Sequence, residues 1–168
     1  MRHIALAAAV LPAACLLAVT ACTATTPTSR PAPDDLVKAA TQRLTDACLA
    51  DRGFVPPRPG RSPLPAAEQR RVADALFGAG RAELSLRLPT GYVVRAHTDG
   101  CLAAAQRRLY GDQRRWFRAS VTVGNLRPEA ARTHRTLAEV RAAHRTELAD
   151  WGRMRARAVR AAGPLLAK

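Results

Sequence analysis

The chain opens on an almost unbroken apolar run from Ile4 to Ala21, interrupted only by Pro12, Cys15 and Thr20, and then changes character. Thr23 to Pro33 is Thr, Ala, Ser and Pro with a single Arg30, a composition that cannot bury a core and favours extended conformers. Helical periodicity begins after it. Asp34 or Asp35 can cap a helix carrying Val37, Ala40, Leu44 and Cys48 on one face, with Gly53 at C′ and Phe54 just beyond. Pro56-Pro57 forbids continuation, and the chain reads as loop through Gly60. Pro65 then suits the first turn of a second helix, whose Val72, Leu76 and Phe77 face inward until Gly78 and Gly80 stop it.

The period next shortens to two. Ala82, Leu84, Leu86 and Leu88 alternate with Glu83, Ser85 and Arg87, Pro89-Thr90-Gly91 breaks the run, and Tyr92 to Ala96 resumes it: a β-hairpin with a three-residue turn. Asp99 is placed to cap a helix with Cys101, Ala105 and Leu109 on one face. Gly111-Asp112 ends it and can cap another containing Trp116, Phe117, Ser120 and Val123. The longest pattern follows, with Leu137, Val140, His144, Leu148, Trp151, Met154, Ala158 and Ala162 recurring every three or four residues. Pro128 can open this helix, or Thr136 with Glu139 can form a capping box at a later start, and Gly163-Pro164 closes it. The elements predict an α+β class: a predominantly helical domain over residues 34–168, with one β-hairpin and a long C-terminal helix. Phe54, Trp116, Phe117 and Trp151 are the leading core candidates, because aromatics make up only 4% of the chain.

The apolar start has the layout of a secretory signal, although its length also suits a retained membrane helix. Val19-Thr20-Ala21-Cys22 resembles the bacterial lipobox, in which an aliphatic and two small residues precede a cysteine that is lipidated before cleavage on its N-terminal side. The resemblance implies a signal peptide over residues 1–21 and a mature chain that begins at lipidated Cys22. An ordinary cleaved signal is the alternative. Residues 22–33 then form a tether, and two acyl chains hold the protein stably on the extracytoplasmic face of the cell membrane.

Lys and Arg number 27 against 13 Asp and Glu, and removal of Arg2 with the signal leaves 26 − 13 = +13. Such an excess ordinarily suggests nucleic acid. Export removes the chain from nucleic acid, and the positive charge is nearly all Arg, with Lys38 and Lys168 the only lysines, as a GC-rich genome would give. The polyanions within reach of the anchored chain are anionic lipid and cell-wall polymer. Arg107, Arg108, Arg114, Arg115 and Arg118, interleaved with Tyr110, Trp116 and Phe117, form the sharpest anion-binding candidate. The alternative is that these arginines only face water.

Cys48 and Cys101 remain once Cys15 and Cys22 are set aside. Both lie on apolar helix faces in an exported chain, which reads as one disulfide, with two buried free thiols as the alternative. "TDACLADRGF", "LRLPTGYVVRAHTDGCLAAAQRRLYGD" and "WFRASVTVGNLRPEA" resemble a group of small actinobacterial membrane lipoproteins of uncharacterised function, in which a Cys-bearing helix ending in Gly-Phe precedes a hairpin and a Thr-Asp-Gly-Cys helix. The likeness spans about residues 40 to 160. It implies the same cysteine pairing and no activity. Those relatives often carry a further cysteine two residues after a C-terminal Trp; here Arg153 stands there.

Catalytic chemistry is thinly provided for. His97 with Asp99 is the best polar cluster and supports an alternative reading as a small envelope-modifying hydrolase. There is no GxSxG, HExxH or P-loop pattern, no CxxC or HxxxH metal spacing, and no paired carboxylates suited to acid and base roles. The expectation is a non-enzymatic binding or accessory protein of the envelope, with no cofactor and no metal.

Overall fold

Pro33, with φ already near the helical value, opens the first helix of a computed structural model that describes residues 31–60 and 62–167. The expected signal, lipidated Cys22 and the tether up to residue 30 lie outside the described residues. Helix α1 (Pro33–Asp51) is not capped by an Asp34 or Asp35 side chain, as the sequence suggested. Both acids instead occupy its first turn, where their charge complements the dipole. Its other end follows expectation. Gly53, at φ +79°, donates to Ala50 O and Phe54 donates to Leu49 O, the paired bonds of a Schellman cap, and Phe54 packs back on the cluster around Leu49.

Helix α2 (Ala66–Phe77) buries Val72 and Ala75. Phe77, expected inside, is 57% exposed, because the helix ends there and turns its last side chain outward. Strands β1 (Leu84–Arg87) and β2 (Val93–Ala96) form the predicted hairpin, antiparallel with Leu84 opposite Ala96 and Arg87 opposite Val93. Gly91 donates to Leu88 O and, at φ +92°, supplies the positive dihedral that a three-residue turn requires. Leu84 and Leu88 are buried while Ser85 and Arg87 face water, so the alternation read from sequence holds.

Helix α3 (Cys101–Tyr110) starts from Gly100 and receives no side-chain cap from Asp99, contrary to expectation. A Cβ on Gly100 would lie within 2.6 Å of the backbone of Leu76, Phe77 and Gly78, so only glycine lets the start of α3 press on the end of α2. Helix α4 (Gln113–Gly124) is capped by Asp112, whose Oδ1 accepts from the Arg115 amide at 2.9 Å.

The expected long C-terminal helix is present but starts later than either Pro128 or Thr136, and two short helices precede it. Helix α5 (Leu126–Thr133) carries Pro128 in its first turn, where an amide donor is dispensable, and ends at His134 in the left-handed region, φ +54°. Thr136 and Glu139 then form the capping box of α6 (Leu137–Ala143). His144 separates it from α7 (Arg145–Leu166), which is still the longest element. Gly163-Pro164 does not close α7, since Pro164 falls in the last turn and removes only one amide donor there.

Helix α7 packs along α1 and α4, and α3 lies against α1 and α7. One core cluster joins Val37, Ala40, Leu109, Ala158 and Ala162; a second joins Leu49, Ala75 and Cys101. Full burial of Leu49 and Leu109 contributes about 1.5–3 kcal/mol each. None of the four aromatic core candidates is fully buried. Phe54, Trp116, Phe117 and Trp151 are half-buried, because alanines bring the helices too close together for rings to fit between them. Cys48 and Cys101 form the expected disulfide, with Cα atoms 5.6 Å apart. Among the described residues no helix is long and apolar enough to cross a membrane.

Candidate functional site

Helix α1 presents a stripe at helical spacing, Asp34, Lys38, Thr41, Thr45 and Leu49, along one wall of a groove of about 610 Å³. The opposite wall is aromatic: Tyr110 from the end of α3, Trp116 from α4 and Trp151 from α7. Tyr110 and Trp116 stack with ring centroids 3.5 Å apart and planes within 7°. The Arg155 guanidinium lies over Trp151 at 5.5 Å and is tied to Asp34 of α1, its Nε donating to Oδ1 at 2.9 Å. Burial of Tyr110, with the charge of Asp34 adding and that of Arg155 opposing, holds its hydroxyl above the ordinary phenol range.

Thr45 is the unusual member of the groove. It is only 5% exposed and its Oγ1 has no hydrogen-bond partner among the described residues, although Thr41 one turn earlier donates to Val37 O at 2.8 Å. An unpaired buried hydroxyl costs about 1–3 kcal/mol, and a ligand in the groove would relieve it once a χ1 rotation turned the oxygen, which has almost no accessible surface, toward the groove. Two acids, Asp34 and Asp46, face two bases, Lys38 and Arg155, so the formal charges of the lining cancel. The size and the mixture of rings with a few polar groups are those of a small-molecule or chain-segment site.

The five arginines picked out from sequence do not converge. Arg107 points at the hairpin end, donating to Thr98 O and to Gln113 Oε1. Arg115 forks onto Asp150 of α7, Nε to Oδ2 at 2.7 Å and Nη2 to Oδ1 at 2.6 Å, which raises its own pKa and holds the Asp150 carboxyl below the ordinary carboxylate range. Arg114, Arg115 and Arg118 share a cleft between α4 and α7, but Asp112, Glu147 and Asp150 line it too, three charges against three. Arg108 is exposed on α3 and forms no ion pair among the described residues. The arginine-rich stretch is therefore partly a set of internal ties.

His97 and Asp99 lie together just before α3, yet no hydrogen bond joins them, so the contact by which a carboxylate orients a catalytic imidazole is missing. A third group is present that sequence spacing did not reveal. Glu83 stands against both, with donor atoms of all three within 4.8 Å of one another. Neither Glu83 nor the groove is legible as a site in the sequence: the hairpin brings Glu83 back across 14 residues, and the groove is assembled from five helices. The only signal for the groove was polar Thr41 and Thr45 beside the apolar face of α1. Compared with known proteins, the chain matches no family model, and no similar curated protein or solved structure is found.

Proposed function

We propose that this chain is a lipid-anchored, extracytoplasmic protein of the cell envelope, and that it binds a ligand without converting it. The groove between α1 and the Tyr110, Trp116 and Trp151 wall is its binding element. The lipobox-like Val19 to Cys22 and the Thr/Pro-rich stretch after it support the location, as does the Cys48–Cys101 bond, since disulfides persist outside reducing compartments. The observation that carries the binding role is the buried Thr45 hydroxyl, unpaired in a ring-lined groove. Because the lining charges cancel, an anionic headgroup gains nothing there. An uncharged amphipathic segment of a wall polymer, stacked on the rings with its hydroxyls toward Thr45 and Gln42, suits the groove better.

Titrating soluble wall-glycan fragments into the detergent-solubilised chain and following tryptophan fluorescence tests this reading. Thr45→Val keeps the shape and deletes the hydroxyl, so it is expected to raise thermal stability while weakening binding about tenfold, near 1.4 kcal/mol. Glycan affinity unchanged by Thr45→Val, or no fluorescence response at all, would remove the groove from consideration. For the anchor, the chain is expected to incorporate labelled fatty acid, and Cys22→Ser to abolish incorporation and accumulate the uncleaved, longer precursor; no incorporation by the unsubstituted chain would point to an ordinary cleaved signal or a retained helix.

A further inference from the structure

We infer that Glu83, His97 and Asp99 form a binding site for a divalent first-row transition-metal ion, zinc fitting the donors best. The hairpin explains their meeting. Leu84 pairs with Ala96, so extending the antiparallel register by one residue sets Glu83 opposite His97 at the open end, and Asp99 follows two residues on. The donor atoms lie within 4.8 Å of one another. Zinc bonds of about 2.0–2.2 Å in a tetrahedron place donors about 3.3 Å apart, a closure that exposed carboxylates reach by rotamer adjustment. One imidazole with two carboxylates is the ligand chemistry of zinc and its neighbours, whereas calcium and magnesium favour oxygen alone.

Three further observations point the same way. The first is that the backbone beneath the site is held rigid from three directions: Gln113 donates to His97 O, Arg107 to Thr98 O and Arg52 to Asp99 O. The Thr98 amide in turn donates to Glu83 Oε2 at 2.9 Å, orienting that carboxylate as outer-shell partners orient metal ligands. The second is that no opposite charge takes up the donors. Among the described residues His97 Nδ1 is buried without a partner and, in a chain with 27 Lys and Arg, neither carboxylate forms an ion pair. Two adjacent carboxylates left unneutralised by so many arginines leave a place for a cation. The third is Gly78, where any side chain would collide with Asp99 Oδ1 and His97 Cβ, so the wall beside the donors is bare backbone.

None of the three donors lines the groove, and the site does not depend on it. Its test is calorimetric titration of Zn²⁺ into the detergent-solubilised full chain, disulfide intact and stripped beforehand with chelator. One equivalent is expected to bind, His97→Ala to abolish saturable binding, and the isosteric Glu83→Gln and Asp99→Asn each to weaken it at least tenfold. Melting curves in chelator separate ligand loss from misfolding; the two isosteric variants are expected to melt with the unsubstituted chain. Absence of saturable binding would overturn the proposal. So would binding left unchanged by all three substitutions, which would place the ion elsewhere, for instance at the buried Glu129–His144 pair.

Discussion

Around Leu109, helices α1, α3 and α7 meet through Ala40, Ala158 and Ala162, whereas around Leu49 the ends of α1, α2 and α3 meet through a disulfide and a glycine. In the first region long helix faces run together, and small side chains let dispersion contacts accumulate over several turns. In the second only helix ends are available, with few side chains to interlock, and covalent closure takes over. Hydrogen bonds from Arg52, Arg107 and Gln113 to successive carbonyls complete it. Alanine thus holds helices that can lie alongside each other, and cross-links and long polar side chains hold those that cannot. The same difference explains the placement of function: both candidate sites border the clamped region, where donors are fixed by something other than close packing.

Replacing Cys48 and Cys101 together by Ser should have the largest effect, about 4 kcal/mol for a closed loop with a separation of 53 residues, read as a lower urea midpoint. Hydrogen exchange follows the two regions separately in the same variant. Amides of α2 and residues 97–100 should lose protection first, while those of α7 keep theirs; equal loss across α7 would show that the two regions are one. Ala162→Leu attacks the other region and should cost about 1–3 kcal/mol by overpacking, read as a lower melting temperature with the disulfide intact. Acid should give the smallest effect. The carboxyls of Asp150, held by Arg115, and Glu139, held by Thr136, are more acidic folded than unfolded. Their contribution is complete above the unfolded value and is lost as pH falls from about 4 downward, which loosens α4 from α7. A urea midpoint in Asp150→Asn that falls with acid as steeply as that of the unsubstituted chain would assign the loss to other groups.

Much of the fold was legible because local signals agreed with one another. Alternation and breaker together gave the hairpin, Gly53-Phe54 gave the end of α1, Asp112 gave the start of α4, and the apolar placement of Cys48 and Cys101 gave the disulfide. The long C-terminal helix is legible in the sequence, as is the capping box at Thr136, but the start of α7 is not, because the apolar positions from Leu137 to Ala162 stay in phase across the break at His144, which carries neither glycine nor proline. The aromatic residues were assigned to the core on size, but alanine-mediated contact leaves no room there and displaces the rings to the margin, where they build the groove. The arginine cluster was legible as composition only, since Asp150 and Thr98, which engage two of its members, come from distant segments.

The disulfide also has a consequence in time. A chain delivered N-terminus first presents Cys101 before residues 145–166 of α7 have appeared. The bond can thus close on α1 and α3 alone, while the face that α7 will cover is still bare, and after Asp34 the chain holds no third cysteine to compete. The bond that limits how far α1 and α3 can separate thus needs no residue of α7, although α7 packs on both.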